Sequence, residues 1–590
     1  MITNAEIAQT LRRVAAVFDV KDNDHFRTRA YQNAANAIEN LTISARDLWE
    51  QGKLTEIPGV GPNIAGHLEE WFKTGKVRHF ETEMKRVPAG MFALLGIRGV
   101  GPKIAYKIAD KFKLDDEKTA LKKVKELIVS GKLSSLPGFG EKLIHKIQTS
   151  IESAYVKEER MLLSEALPVS KEYLDYLLSL PDVIEAQPLG SLRRRVATVG
   201  DIDLAICTRK PKEAMGEALK YKEVGEVIST GESVSRVKLK SGHEIDIKLS
   251  HPGEWGSLLQ HYTGSKLHNI LLRSFAHERQ LSLSEHGIKD QKTGNIINVK
   301  NEKSFYAHLG LSLIPPELRE GEEELELAKK NKIPSLVELS DIKGDLHMHS
   351  DFEYETSHDL GRSSLSDVLD KARDLSYEYI GLADHNPKFQ GLSIAHKKKV
   401  LDARKNKLLT QYREYEKRVK TRVPKLLIGL EIDIRKDGEL ALEEELISDL
   451  DYAIASIHSN FELSKAENTT RIIKALGHSK VVILGHPTGR MLNQRNSIEA
   501  DWQAIIEFCK VNKKVLEVNG APARLDLPDD LVKMAVRNGA KLCIDTDSHE
   551  VSQMDFMQFG VWTARRGWCT KSDVVNTLTF RDLQSVLRLS

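Results

Sequence analysis

"GDLHMHSDFEYETSHDLG", residues Gly344 to Gly361, sets His347 and His349 two apart at the end of a short apolar run and follows them with Asp351, Glu353, Glu355, His358 and Asp359. Five further apolar runs downstream also end in a potential metal ligand. These are His385 in "ADHN", Glu431 in "GLEID", His458 in "SIHS", His486 in "LGHP", and Asp547 with His549 in "DTDSH". Strand-like runs alternate with helical stretches throughout. That rhythm predicts a parallel α/β barrel or doubly wound sheet with its chemistry at the C-terminal ends of the strands. A single His after a strand is usually a satisfied polar residue. Six His, one Glu and one Asp recurring at strand ends suit Zn²⁺, Mn²⁺ or Fe²⁺ better than Mg²⁺. So many ligands exceed the needs of one ion and imply two or three. Such a cluster generates hydroxide at neutral pH, which points to phosphoester hydrolysis.

The barrel accounts for less than half of 590 residues, a length that predicts roughly four domains at ~150 residues each. A hydrophobic fraction of 41% with 29% charged residues excludes a disordered chain. The start, "MITNAEIAQTLRRVAAVFDV", has no basic head, apolar run and cleavage site, and no stretch approaches the ~18 apolar residues of a membrane span. The reading is a cytoplasmic protein with no membrane partner. Cys207, Cys509, Cys543 and Cys569 show no paired spacing, so neither disulfides nor thiolate zinc is indicated. The net charge of +2 hides basic clusters in the first half, such as "SLRRR", which permit nucleic-acid contact.

The first 150 residues carry helical periodicity interrupted by a repeated turn: "LTEIPGVGPNIA" from Leu54, "LLGIRGVGPKIA" from Leu94 and "LSSLPGFGEKLI" from Leu133. Gly59 and Gly61, Gly99 and Gly101, and Gly138 and Gly140 form the Gly-x-Gly pairs, and Lys103 follows the second. Such a turn ahead of a helix can hold a phosphate on backbone N–H groups without reading a base. One copy would suit a simple helix joint; three copies favour DNA binding.

From about Val169 the texture becomes β-rich. In "GDIDLAI" the strand period puts Asp201 and Asp203 on one face, where two carboxylates repel unless cations lie between them. Asp246, in "HEIDIKLS", sits on a strand that can pair beside the first. Three such carboxylates can hold two Mg²⁺ roughly 4 Å apart for nucleotidyl transfer. Upstream, "GSLRRR" offers Gly190 and Ser191 as a phosphate-facing turn, with Arg193 and Arg194 as cationic clamps.

These motifs, with "HYTGSKLHNILLR" downstream, resemble the family X DNA polymerases over roughly the first 315 residues. The resemblance implies that Asp201, Asp203 and Asp246 are catalytic and bind Mg²⁺ or Mn²⁺. It implies that Gly190, Ser191, Arg194, Gly200, Thr263, Gly264 and Asn269 bind the incoming nucleotide, and that Arg273 contacts DNA. Three departures stand out. His261-Tyr262 replaces the family's Tyr-Phe, Arg195 replaces its usual Gly and adds charge beside the triphosphate turn, and His67 takes the place of the Schiff-base Lys of the lyases. A neutral His cannot form the imine, so weak or absent lyase activity is expected.

The C-terminal half resembles the PHP (polymerase and histidinol phosphatase) domain, a distorted β7α7-like barrel with three metals. That implies 3′–5′ exonuclease or related 3′-end processing, with abasic-site endonuclease activity as a further option. In the family the second His is followed shortly by Ser-Asp-Gly. Here the segment is longer, so Asp359 is favoured as the ninth ligand, with Asp351 as runner-up and His358 or Glu355 open to recruitment.

The expected organisation is a multidomain chain. A helical lyase-like region spans 1–80, a helical DNA-binding fingers region 81–165, and an α+β nucleotidyltransferase palm 166–250. A thumb spans 251–315, a linker with a charged helix 316–340, and the PHP domain 341–590. The expected partners are gapped or nicked double-stranded DNA and dNTPs, bound by a monomer. The alternatives are a PHP nuclease with weak polymerase activity or a DNA-end binding scaffold.

Overall fold

Amphipathic N-terminal segments fold as α1 (Asn4–Val17), α2 (His25–Glu39), α3 (Ala45–Glu50), α4 (Pro62–Thr74) and α5 (Arg78–Met84), burying Ile7, Leu11, Phe18, Ile64 and Leu68 together. A neighbouring core joins α6 (Gly90–Leu94), α7 (Pro102–Lys111) and α8 (Glu117–Val129) around Met91, Ile108 and Val124. Gly61 and Gly101 cap α4 and α7 alike, at φ −79° and −76°, each followed by Pro. Proline suits that position because a helix start leaves its N–H unpaired anyway. Gly59 has φ +80°, and a Cβ there would lie 3.2 Å from the Ala34 nitrogen, so the turn needs glycine.

This computed structural model describes residues 4–22, 24–39, 45–50, 52–57, 59–95, 100–133, 136, 139–140, 144, 147, 160–231, 233–388 and 392–587. Gly99 and Gly138 lie outside them. The chain divides into two compact units, Met1–Glu159 and Arg160–Ser590.

The second unit starts with β1 (Met161–Leu162), paired with β3 (Thr198–Val199), and α9 (Leu163–Leu178). The palm thus begins a few residues before the expected 166, because β1 needs β3. Its five-stranded sheet runs β2 (Val183–Pro188), β4 (Ile202–Thr208), β7 (Glu244–Ser250), β6 (Val234–Leu239), β5 (Val224–Thr230), with the short α10 (Gly190–Arg193) and α11 (Pro211–Ala218) between strands. The thumb follows with α12 (Trp255–Thr263), α13 (Lys266–His277), β8 (Leu281–Ser284), β9 (Gly287–Asp290), β10 (Ile296–Ile297) and α14 (Glu302–His308).

The stretch 316–340 departs from the expected linker. It carries the charged helix α15 (Glu324–Lys329), but Leu318, Leu325, Ala328 and Leu336 pack with Leu272 and Phe275 of the thumb. Its charges turn inward: fully buried Arg319 pairs with Glu302 at 2.5 Å, and Glu324 meets His268 at 2.8 Å. A charge-rich sequence reads as solvated only until its partners are known.

The barrel strands are β11 (Gly344–Met348), β12 (Tyr379–His385), β13 (Lys425–Asp433), β14 (Ala453–Ser456), β15 (Val481–Gly485), β16 (Val515–Asn519) and β17 (Lys541–Asp545). They lie in sequential order, all parallel. Helices α16 (Leu365–Asp374), α17 (Ile394–Arg418), α18 (Glu444–Ile447), α19 (Lys465–Leu476), α20 (Trp502–Asn512), α21 (Asp529–Asn538), α22 (Met557–Arg566) and α23 (Phe580–Leu587) complete this half. A parallel bridge from Met348 to Ser548, and His349 N donating to Ser548 O at 2.8 Å, join the first strand to the last. Strands buried on both faces explain the continuous apolar runs. Tyr452 fills the interior, and Gly381 leaves it room, since a Cβ there would lie 2.2 Å from its hydroxyl.

Candidate active sites and metal centre

In the palm, β4 and β7 run parallel with Asp203 opposite Asp246, so the two carboxylates stand side by side. Asp201, two residues before Asp203, is exposed at the mouth of the strand. Lys248 is hydrogen-bonded to Asp203 and lies 3.9 Å from Asp246, while Arg236 grips Asp246 through both oxygens at 2.5 and 2.8 Å. Burial raises the Asp203 pKa despite the opposing pull of Lys248. Converging carboxylates that need cationic compensation are the donor set of a divalent-ion site.

The arginines beside this site are arranged differently from the expectation. Arg193 is no free clamp: it donates to Thr263 (2.6 Å) and Glu302 (2.7 Å). Arg194 donates to the Thr263 carbonyl and to Glu320. Arg195 stacks on Trp562, 4.2 Å from the ring, instead of adding charge at the triphosphate turn. Gly190, at φ +56°, would place a Cβ 2.9 Å from Asp203, so the α10 turn lies against the carboxylates, with Ser191 next in the turn. A Cβ at Gly200 would lie 3.1 Å from the Arg160 guanidinium, and one at Gly264 3.0 Å from that of Arg194.

Asn269 accepts from Gln260 and donates to the His261 carbonyl at 2.7 Å. Arg273 reaches the His261 ring at 3.5 Å. Burial lowers the His261 pKa to about 4, so the ring is neutral.

In the first unit His67 stacks on His79 with centroids 4.7 Å apart. Burial, then the neighbouring ring, lowers its pKa. Lys103 lies 3.9 Å from Asp19, and Gly140 is exposed.

At the barrel rim, parallel strands bring residues far apart in sequence onto one face. His347, His349 and Asp547 offer ligand atoms within 4.8 Å of one another, as do His349, His385 and His549, and likewise His385, Glu431 and His458. His486 joins through Glu431 at 2.8 Å. A fourth group is His358, Asp433 and His458. His358 lies 3.1 Å from Asp433, because the 350–361 loop folds back: Tyr354 donates to the His385 carbonyl and Ser357 N to the Asn386 carbonyl. Asp359 is exposed and belongs to none of these groups among the described residues. Of the candidates around it, His358, itself exposed, stands beside Asp433 and His458, while Asp351 Oδ1 is buried without a hydrogen-bond partner among the described residues.

His347 Nε2, His349 Nδ1, His385 Nδ1, Glu431 Oε2, His486 Nδ1 and His549 Nε2 are all buried without a hydrogen-bond partner among the described residues. Buried polar atoms are seldom left this way, and nitrogens and carboxylate oxygens aimed at common points fit divalent metals. The electrostatics agree. Burial opposes charge on His458, but Glu431 and Asp433 outweigh it and raise its pKa to about 9. Burial drives His349 down to about 3 in spite of Asp547. Glu431 sits well below the carboxylate range because His385, His458 and His347 outweigh its burial.

Several residues at this site escaped the sequence reading. Asp433 is two positions after Glu431 on β13 and therefore shares its face, a signal present in "GLEIDI". Glu517 holds His347 Nδ1 at 2.6 Å, leaving Nε2 as the atom aimed at the cluster, an outer-shell arrangement usual for metal-binding His. Asn519 donates to Asp547 at 3.1 Å, and Arg524 stands 3.7 Å from it. Only their place in the fold reveals them.

Comparison with known proteins matches these parts in order. A helix-hairpin-helix domain model fits residues 2–77, a SAM-like helix-hairpin-helix tandem 92–152, the DNA polymerase beta thumb 258–320 and the PHP domain 345–521. DNA polymerase lambda of Arabidopsis thaliana is 27% identical over 206 residues, 34% of each chain. A probable phosphatase of Clostridium novyi is 27% identical over 133 residues, 21% of this chain and 52% of that protein. The DNA polymerase/3′-5′ exonuclease PolX of Bacillus subtilis is 32% identical over 591 residues, 99% of both chains. With carboxylate-bearing palm, thumb and metal-ready barrel in that relative's order from end to end, this chain belongs to the PolX family, the family X DNA polymerases with a C-terminal PHP domain.

Proposed function

We propose that the chain is a DNA-directed DNA polymerase that fills short gaps during DNA repair and a metal-dependent 3′–5′ exonuclease that cleans 3′ ends, with one site for each reaction. The observation that carries this is the coexistence in one unit of the Asp203–Asp246 pair and the histidine-rich rim, two donor sets with no residue in common. Its partners are gapped or nicked duplex DNA and dNTPs. It works as a monomer in the cytoplasm; no helix among the described residues is long and apolar enough to cross a membrane.

In synthesis, Asp201, Asp203 and Asp246 hold Mg²⁺ or Mn²⁺, which when bound activates the primer 3′-hydroxyl and steadies the leaving group. Lys248 lies against Asp203 and Arg236 against Asp246 as their cationic partners. Ser191, Arg194 and the turns at Gly190, Gly200 and Thr263-Gly264 grip the triphosphate. Asn269 and Arg273 line the nucleotide and template side, with neutral His261 between them. The hairpin glycines Gly59, Gly61, Gly101 and Gly140, with Lys103, track the DNA backbone.

In hydrolysis, His347, His349, His385, Glu431, His458, His486, Asp547 and His549, with His358 and Asp433 at the outer edge, hold two or three Zn²⁺, Mn²⁺ or Fe²⁺ ions. Such ions supply hydroxide at neutral pH. Glu517 orients His347, and Asn519 orients Asp547.

The test uses labelled gapped DNA with and without dNTPs. Asp203→Ala abolishes extension and spares degradation, and His347→Ala does the reverse. Loss of both activities in either variant would overturn the assignment of separate sites.

A further inference from the structure

The PHP barrel touches the palm through Asn493, which donates to the Arg160 carbonyl at 2.8 Å, and through α22, whose contacts converge on two consecutive palm residues. Arg566, at the end of α22, donates from Nη1 to the Arg194 carbonyl (3.0 Å) and to Glu320 (2.9 Å). Its Nε and Nη2 are fixed on Asp529 at 2.8 and 2.7 Å, so its fork cannot swing away. Glu320 also accepts from Arg194 Nε at 3.2 Å. Both ends of Arg194, carbonyl and guanidinium, are thereby tied to one part-buried network whose anchor is a PHP residue.

One helical turn back along α22, Trp562 carries the Arg195 guanidinium on its ring. Arg195 has φ +57°, a conformation that costs a residue with a side chain, and the ring contact offsets that cost. Phe559 and Trp562 also pack against the palm core. Elsewhere the two halves are joined by Arg565 on Glu317 at 2.8 Å, by Trp568 in the thumb core, by buried Lys533 beside Glu322, and by the exposed pair of Arg537 with Glu323. The contacts to Arg194 and Arg195 differ from these because they restrain the backbone and side chains of one turn.

An arginine that is free in solution loses rotamer freedom when it grips a phosphate. A turn already held in place forgoes most of that loss, which shows as tighter binding. We propose that α22 of the PHP barrel is part of the polymerase's nucleotide-binding machinery, with Arg566, Glu320 and Trp562 as positioning residues that hold Arg194 ready for the triphosphate of an incoming dNTP. This rests on the reading of Arg194 as a triphosphate contact.

The experiment measures extension of a gapped duplex by the full chain across dNTP concentrations. Arg566→Ala raises the dNTP KM about tenfold, the scale of one charged hydrogen bond, with a smaller change in kcat. Trp562→Ala moves KM the same way, and Arg566→Lys recovers part of the loss by keeping a cation on Glu320. Duplex affinity and exonuclease turnover stay at wild-type values, which reports an intact fold. Arg537→Ala, which cuts only the exposed pair with Glu323 at the same interface, leaves KM unchanged.

An unmoved KM in both Arg566→Ala and Trp562→Ala, with Arg194→Ala raising it, overturns the positioning role alone. An equal rise in Arg537→Ala overturns it too, by showing that interface integrity is enough. An unmoved KM in Arg194→Ala removes the triphosphate reading and the inference with it. Should Arg566→Ala lose both activities through misfolding, Trp562→Ala and Arg566→Lys decide the question.

Discussion

His358 sits in a loop that no periodicity marks, yet it faces Asp433 and His458 at ligand distance, while its neighbour Asp359 faces water. Replacing His358 with Ala is expected to lower metal affinity about 10- to 100-fold, the range for lost supporting interactions at such sites. Asp359→Ala should leave it unchanged. Metal content after dialysis, read by elemental mass spectrometry, checks this; depletion in Asp359→Ala alone would reverse the assignment. The meeting of the strand-end histidines and carboxylates at one rim was legible because a parallel strand fixes where its last residue points. The placing of His358 beside Asp433 was not, because it depends on Tyr354 docking on the His385 carbonyl, a contact between distant parts of the chain. Arg195 was misread for the same reason: its partner, Trp562, is hundreds of residues away.

At the scale of elements, α14 shows how a helix start can tie pieces together. Glu302, its first residue, pairs with Arg193 of the palm turn at 2.7 Å and with Arg319 of the 316–340 stretch at 2.5 Å. Burial alone would raise its pKa, but Arg319 and Arg193 outweigh burial and lower it from 4.5 to about 2. A carboxylate with a depressed folded pKa stabilises fully above its unfolded value and loses that stabilisation as pH falls toward the folded one. The shift corresponds to about 3 kcal/mol. Glu302→Gln is therefore expected to lower unfolding stability at neutral pH by at least about that much, since it also leaves Arg319 buried without its carboxylate. Urea titrations should show the gap to wild type narrowing as pH drops below 4.5, and a gap that stays flat there would contradict this account. The same pairings explain why 316–340 read as a linker: its charges look solvated in sequence, and only the fold shows them turned inward. Helix α15 itself was legible, as were the barrel strands, since neither depends on distant partners to be recognised.

Across the molecule, the palm, thumb and barrel of residues 160–590 share cores and ion pairs. Phe559 and Trp562 complete the palm core, Trp568 the thumb core, and Arg565 binds Glu317 at 2.8 Å. The three are expected to unfold in a single calorimetric transition, and a fragment of residues 341–590 should melt lower because it exposes those aromatic rings. Separate transitions in the full chain, or an equally stable fragment, would show the parts to be independent.

The rim carries a further consequence for how the protein comes into being. Its ligands run from His347 on β11 to His549 beyond β17, and the barrel closes only when Met348 meets Ser548. During synthesis the palm carboxylates emerge from the ribosome long before the last rim residues exist. A chain interrupted before His549 therefore lacks part of the donor set proposed for hydrolysis, and truncated products are expected to be without nuclease activity.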